Sequence, residues 1–380
     1  MVFDVKRLFA PLQGVNLEGL EIYVVGGAVR DSLLELTPKD MDFVAVGATP
    51  NTFLELGFQQ VGQDFPVFLH PKSHVEIALA RTERKTHPGH TGFAVYADPS
   101  VTLETDLLRR DFTINAMAVS RTGELIDPYG GENDLKARQL RHISDAFTED
   151  PLRVLRGVRL LGQLGTFEFH IAPETESVMQ AMSPFLRELS VERIIVELDK
   201  TLASTHPELG LQHINHLGIT EALAPILSIV PDQFICQSIE ARLAEWMVLN
   251  RPTIECIERY GKEFRLTNKR IAFLKAIVRL KDLPFEDAKQ CLDVFGQLGW
   301  LRGNPPDQDL DRLLIEFDQS NLIRVTIRRW FEIRERVRQI SVDKLNEQGL
   351  SGKALGDAIY TERLHVLSTE ISAPGTAPGL

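Results

Sequence analysis

Two rhythms of apolar and polar positions divide the chain. The runs "EIYVV" (21–25), "MDFVAV" (41–46), "VEIALA" (75–80) and "GELIDPY" (123–129) are short and β-rich, as strands are. Between them, "AVRDSLLEL" (28–36) and "DLLRRDFTINAMAV" (106–119) space their apolar residues as amphipathic helices do. This stretch predicts an α+β head, a mixed sheet with helices. After Glu149 helical spacing takes over, beginning with "EDPLRVLRGVRLLGQLG" (149–165), and no strand-like alternation is legible. The predicted partition is a head over 1–140, an all-α neck over 141–230 and an all-α body and tail over 231–371. Residues 372–380, within the Pro/Gly-rich end "ISAPGTAPGL", are expected to be flexible.

Composition adds limits to that picture. With 380 residues, 43% hydrophobic and 25% charged, the chain has the make-up of a globular protein large enough for more than one core. No 18-residue apolar run and no basic-then-apolar leader occur, so no membrane association is expected and the cytoplasm is the expected location. Cys236, Cys256 and Cys291 are far apart, lack CxxC spacing and sit in apolar helical contexts, which predicts free buried thiols rather than disulfides or a zinc site. A net charge of −11 argues against indiscriminate coating of nucleic acid. Local basic stretches remain: Arg265–Lys281 holds six basic residues and no acidic one, and Arg324–Arg338 sets a run of arginines against two glutamates. Each reads as a solvated helix face or as a track for phosphates.

The candidate chemistry is concentrated in "YVVGGAVRDSLLELTPKDMDFVAVG" (23–47). Gly26 and Gly27 lie between an apolar strand and an amphipathic helix, so backbone amides can face an anion with no side chain in the way. The alternative is a tight turn, and the GxGxxG spacing of dinucleotide folds is absent. Asp40 and Asp42 are i and i+2, which on a strand share one face. Paired carboxylates on a rigid edge suit Mg²⁺, which completes its octahedron with water and phosphate oxygens. A solvated acidic turn is the plainer reading of that pair; the glycine turn so near it favours nucleotidyl transfer.

The ordered set "GGAVRDSLLELTPKDMD", "RRDFTINAMA" (109–118), "DPYGG" (127–131) and "EDPLRVLR" (149–156) resembles the motifs of class II tRNA nucleotidyltransferases, within the polymerase β-like superfamily. The stretch 62–97 is more similar to bacterial CCA-adding enzymes than to bacterial poly(A) polymerases, and the likeness fades beyond about residue 230.

That resemblance implies roles for named residues. Arg109 and Arg110 would fork onto the triphosphate. Asp111 would accept from ribose hydroxyls, with Asn115 four residues on along the same helix face, and Arg30 would contact phosphate. Arg81, Arg84 and Lys85 would belong to a flexible loop with a Gly/Pro-rich tip, "THPGHTG" (86–92), that positions nucleotide. "DPYGG" has turn chemistry suited to a hinge between catalytic and helical parts. Pro151 suits a first helical position with Asp150 as its cap, which makes Asp150 and Arg153 i, i+3 neighbours. A carboxylate accepting from an exocyclic amine beside a guanidinium donating to a ring nitrogen matches C and A and mismatches U and G. The alternative there is a surface ion pair. Arg156 closes the motif and is expected to bind nucleotide too.

"LSVERIIVELDKTLAS" (189–204) resembles the family's neck helices, and "LNEQGLSGKALGDAI" (345–359) a tRNA-contacting tail segment. No histidine is followed by aspartate, so the phosphohydrolase domain of some relatives is not expected. The implied function is Mg²⁺-dependent addition and repair of the tRNA 3′-terminal CCA from CTP and ATP, with a monomer favoured. Alternatives are an A-adding or CC-adding enzyme, a poly(A) polymerase, or an inactive RNA-binding protein.

Overall fold

The computed structural model describes residues 3–61, 67–85, 93–96, 98–223, 227–301, 307–323, 325–340, 345, 347 and 349–372. They form two compact units, one of residues 1–197 and 213–223, the other of 198–212 and 224–380.

In the first unit the strands are β1 (Glu21–Val25), β2 (Asp42–Val46), β3 (Gln59–Val61), β4 (Val67–Leu69), β5 (Glu76–Leu79), β6 (Thr82–Lys85), β7 (Phe93–Tyr96), β8 (Ala118–Val119), β9 (Leu125–Ile126), β10 (Gln139–Leu140) and β11 (His170–Ile171). Seven of them make one mixed sheet in the order β3-β4-β5-β2-β1-β8-β9. Only β2 and β5 run parallel in it; β1 is antiparallel to both β2 and β8. Three of the apolar runs foreseen as strands, at β1, β2 and β5, thus form its centre, the fourth supplies the edge strand β9, and the mixed sheet with helices is present as expected. One face packs Val25, Val44, Ala80 and Ala118 against Leu103 and Leu107, so the helix Leu103–Leu108 is seated by its i, i+4 leucines.

Local physics overrides the sequence reading in three places. The helix foreseen through "DLLRRDFTINAMAV" stops at Leu108, because Phe112 takes extended backbone (φ −125°, ψ 148°) with its ring fully buried. A 3₁₀ turn over Thr113–Asn115 and strand β8 follow. "DPYGG", foreseen as a hinge, forms a hydrogen-bonded turn that leads into a helix of the first unit. Asp127 accepts from Gly131 N–H (2.7 Å) and Glu132 N–H (2.8 Å), capping the helix Gly131–Lys136. A strand pair also survives past Glu149: β11 lies parallel to β10.

The second unit is helical. Ser238, Thr253, Thr267, Asp287, Asp307 and Thr326 each cap a helix by accepting a backbone N–H two or three residues on. Its core gathers aromatic rings, with Trp330 5.4 Å from Phe285 and 5.8 Å from Phe295. The last described helix is Gly352–Ser372, and residues 373–380 of the tail lie outside the described residues. Cys236, Cys256 and Cys291 are free, as expected, and Cys236 and Cys291 are buried, whereas Cys256 is partly exposed.

Many cations of the two basic helices are already paired. On Asn268–Lys281, Arg270 meets Asp199 and Glu240, Lys269 meets Asp309 and Lys275 meets Glu258. On Ile327–Arg338, Arg334 bonds Asp311 and lies over the Phe331 ring, while Arg329 and Arg336 share Glu370. Those side chains serve the fold; Arg328 stays exposed and makes no bond to a described residue.

Candidate active site

Strand β1 carries the chain apolar and buried through Ile22, Val24 and Val25 to Gly26, where the direction changes sharply. Gly26 has φ 72° and ψ −133°, a region closed to residues with a Cβ. A Cβ there would also stand 2.9 Å from Nη1 of Arg110. The glycine is needed twice, for the turn and for the guanidinium lying over it. Gly27 opens the helix Gly27–Leu33, and a Cβ on it would come within 3.4 Å of Arg30 Nη2.

Asp42 is the first residue of β2 and pairs with Val25, so the sheet register sets it beside the glycine turn. Asp40 lies in a bend before the strand rather than on it: β1 has ended at Val25 and leaves Asp40 no ladder partner. The shared-face argument for the two carboxylates therefore fails in detail. They nonetheless influence each other electrostatically. Crowding desolvates the Asp42 carboxyl and raises it above its ordinary value although one side stays open to solvent; Arg110 opposes the rise, Asp40 adds to it and Arg156 opposes it. Neither carboxylate has a hydrogen bond or ion pair with a described residue.

Two unbonded, mutually repelling oxygen donors suit a hard divalent cation. Among the described residues no cluster of three or more His, Cys, Asp or Glu forms a metal cage. Water and substrate oxygens would have to fill the remaining coordination positions.

Arg109 and Arg110 leave the end of the Leu103–Leu108 helix and fold back on Asp106, which is 0% exposed. Arg109 donates from Nε (3.2 Å) and Nη2 (3.1 Å) to Oδ1, and Arg110 Nη2 lies 3.3 Å from Oδ2. The Arg81 N–H reaches Oδ1 at 3.3 Å. Burial alone would raise the Asp106 carboxyl, yet Arg109 and Arg110 hold it below the ordinary carboxylate value. Nε of Arg110 is buried with no acceptor.

Asp111 lies 4% exposed and is deeply engaged. Its Oδ1 accepts from Phe112 N–H (2.8 Å) and Asn115 Nδ2 (3.1 Å), and its Oδ2 from Arg156 Nε (2.7 Å) and Nη2 (2.6 Å). Burial would raise this carboxyl, but Arg156, Asn115 and the Phe112 amide drive it far below the usual range. A carboxylate has about four acceptor positions, and here they are taken. The free ribose acceptor expected of Asp111 is thus not presented; it orients Arg156 and Asn115 instead. The Asp111–Asn115 link exists, across a 3₁₀ turn rather than along an α-helix face. Arg30 is buried too, bonding Asp31 (2.7 and 2.8 Å) and Asn115 Oδ1 (2.7 Å).

The helix Leu152–Gln163 carries the fourth motif, seated by buried Leu152, Val154, Leu155 and Val158. Asp150 does cap it, Oδ1 accepting from Leu152 N–H (3.1 Å), while Oδ2 accepts from Arg193 Nη2 (2.8 Å). Arg153 does not point away into solvent. Its guanidinium donates to the carbonyls of Arg109 (2.5 Å), Ala146 (2.9 Å) and Arg110 (3.5 Å). Arg81 opens hairpin β6–β7, whose first strand holds Arg84 and Lys85 opposite Ala94 and Phe93. The tip foreseen at 86–92 lies outside the described residues.

Asp106 and Arg193 escaped the sequence reading. Asp106 precedes Arg109 and Arg110 by three and four residues, the spacing of any solvated helix pair, so only its burial distinguishes it. Arg193 sits in an ordinary amphipathic neck pattern, and nothing local marks it as the partner of Asp150.

Residues 22–141 match the family described as "Poly A polymerase head domain", and residues 168–229 match "Probable RNA and SrmB- binding site of polymerase A". The fold is similar to that of the Bacillus stearothermophilus CCA-adding enzyme in complex with CTP, at TM-score 0.66 and 23% identity over 97% of this chain and 94% of that one. It is also similar to a CCA-adding enzyme in complex with ATP, at TM-score 0.63 and 21% identity over 97% of this chain and 90% of that one. The head and its helical continuation share the architecture that the sequence motifs implied.

Proposed function

We propose that this chain, with its poly A polymerase head, is a tRNA nucleotidyltransferase that builds and repairs the 3′-terminal CCA from CTP and ATP. The observation that carries the reading is the meeting of Asp42, the bare Gly26 turn and Arg110 at one end of β1 and β2. Its support is the likeness of the whole chain to CCA-adding enzymes with CTP and with ATP. The RNA-binding family match at 168–229 names the partner class.

Nucleotidyl transfer in this family depends on a divalent metal, and Mg²⁺ is the ion proposed here. Held by Asp40 and Asp42, it would activate the RNA 3′-hydroxyl and stabilise the leaving pyrophosphate. Arg110, laid over Gly26, binds the triphosphate through its free Nη1, and Arg109 reinforces the positive field. The hydroxyl gives up its proton to solvent and its oxygen bonds the α-phosphorus as the α–β bridge breaks, so charge builds on the pyrophosphate that these guanidiniums face. Asp150 and Arg153 choose the base. Arg153 must exchange its hold on the carbonyls of Arg109 and Arg110 for the ring nitrogen, which makes base reading and triphosphate placement one event.

The test uses purified protein, Mg²⁺, labelled CTP or ATP, and tRNA transcripts ending before the first C, the second C and the A. Stepwise addition that stops after A supports the proposal; addition to the last transcript alone reduces it to A-addition. The head family's name favours one second reading, a poly(A) polymerase, which would instead extend RNA ends with long A tracts. Metal-free protein restored by Mg²⁺ and not by Ca²⁺ would identify the ion.

A further inference from the structure

Asp106 is the most enclosed ionised group in the head that the proposed chemistry leaves without a task. It is 0% exposed, and its oxygens accept from Arg109, Arg110 and the Arg81 N–H. Burying a carboxylate beside two guanidiniums rarely gains stability over apolar packing, so such an arrangement serves geometry. Arg110 shows which geometry. Its Nη2 is held by Asp106 while Nη1 hangs 2.9 Å from the Cβ position of Gly26 and Nε is buried with no acceptor. The guanidinium is clamped by one corner, with Nη1 against the glycine turn beside Asp42.

We propose that Asp106 is the positioning residue of the triphosphate site. It fixes the aim of Arg110 before nucleotide arrives and ties Arg109 and the start of hairpin β6–β7 to the same carboxylate. Binding then pays little for ordering two long side chains. Asp106 itself touches neither base nor metal, so it acts on every nucleotide alike. The inference rests on the nucleotidyltransferase reading and adds to it the group that organises its phosphate donors.

The experiment compares wild type, Asp106→Asn, Arg110→Ala and the double variant in steady-state CTP and ATP incorporation, with unfolding followed to verify the fold. Asp106→Asn is expected to raise KM for CTP and ATP together by about tenfold, with kcat changed by less than about threefold and the CTP-to-UTP preference unmoved. In the Arg110→Ala background Asp106→Asn is expected to raise KM by less than it does in wild type, because most of the effect runs through Arg110 and only the Arg109 part is left. A support role in folding gives multiplying losses instead, and that result, or a KM within about twofold of wild type, overturns the inference. Should Asp106→Asn fail to fold, Asp106→Glu keeps the charge and shifts it by one methylene. An intermediate KM then supports the clamp, and a wild-type KM overturns it. Wild-type protein that incorporates neither nucleotide overturns the activity reading itself, a separate outcome.

Discussion

Asp42 carries opposite consequences for function and for stability. Desolvation raises its carboxyl above the ordinary value, with Asp40 adding to the rise and the two arginines not cancelling it. A raised folded-state value means the contribution to stability is complete below the unfolded value and is lost as pH climbs through the folded one. At neutral pH without metal, the ionised Asp42 therefore costs stability. Asp42→Asn is expected to abolish CTP and ATP incorporation while raising the metal-free unfolding midpoint, and Mg²⁺ should stabilise wild type but not the variant. Calorimetry with and without Mg²⁺ checks this; a lowered midpoint in Asp42→Asn contradicts it. The acid limb of the activity profile should lie above that of an ordinary aspartate, because metal binding needs the deprotonated form.

On the proposed function, the helix Leu152–Gln163 would join base choice to the arginine turn, since Asp150 caps it and Arg153 reaches back to Arg109 and Arg110. Asp150→Ala is expected to cost about one to two decades in kcat/KM for CTP and ATP and less for UTP. Arg193→Ala should move the CTP-to-UTP ratio the same way by a smaller step, because Leu152 N–H still holds Oδ1 of Asp150. Equal losses for all four nucleotides would show that selection lies elsewhere. A second helix tests packing: at Gly131 a Cβ would stand 2.3 Å from the Thr113 carbonyl. Gly131→Ala should therefore destabilise by about 1–3 kcal/mol in denaturant unfolding, by forcing the Gly131–Lys136 helix off the Thr113–Asn115 turn. These elements also show what the chain made legible. Strands β1, β2 and β5 and the cap at Asp150 follow from apolar runs and cap residues, which are local signals. The break at Phe112 does not: a continuous amphipathic spacing favours helix, and only burial of that ring against Phe147, 5.5 Å away, reverses it. The glycines and carboxylates of the site were readable as residue types, whereas the Arg81 amide on Asp106, Arg156 on Asp111 and the Arg109 carbonyl under Arg153 are contacts across tens of residues, which no local pattern encodes.

If it binds tRNA as proposed, an acidic chain of net charge −11 would hold it through local fields, and ion pairing within the second unit narrows which cations can contribute. Arg334, held by Asp311 and stacked on Phe331, has its charge neutralised by its own fold. Arg270 is in the same position, between Asp199 and Glu240. Arg328 and Lys353, one in each of two segments singled out from the sequence, are exposed and bond no described residue. A cation that meets a phosphate releases condensed counterions, so each genuine contact adds about 0.7–0.9 to the slope of log affinity against log salt. Arg328→Ala and Lys353→Ala should each lower that slope for tRNA by about that amount while leaving the unfolding midpoint unchanged. Arg334→Ala should do the reverse, lowering stability by about 1–3 kcal/mol through the stranded Asp311 and leaving the slope as it was. Filter binding across a salt series, paired with denaturant unfolding of the same variants, separates the two classes. A slope that falls for Arg334→Ala and not for Arg328→Ala would mean that the paired arginine leaves Asp311 to meet the RNA.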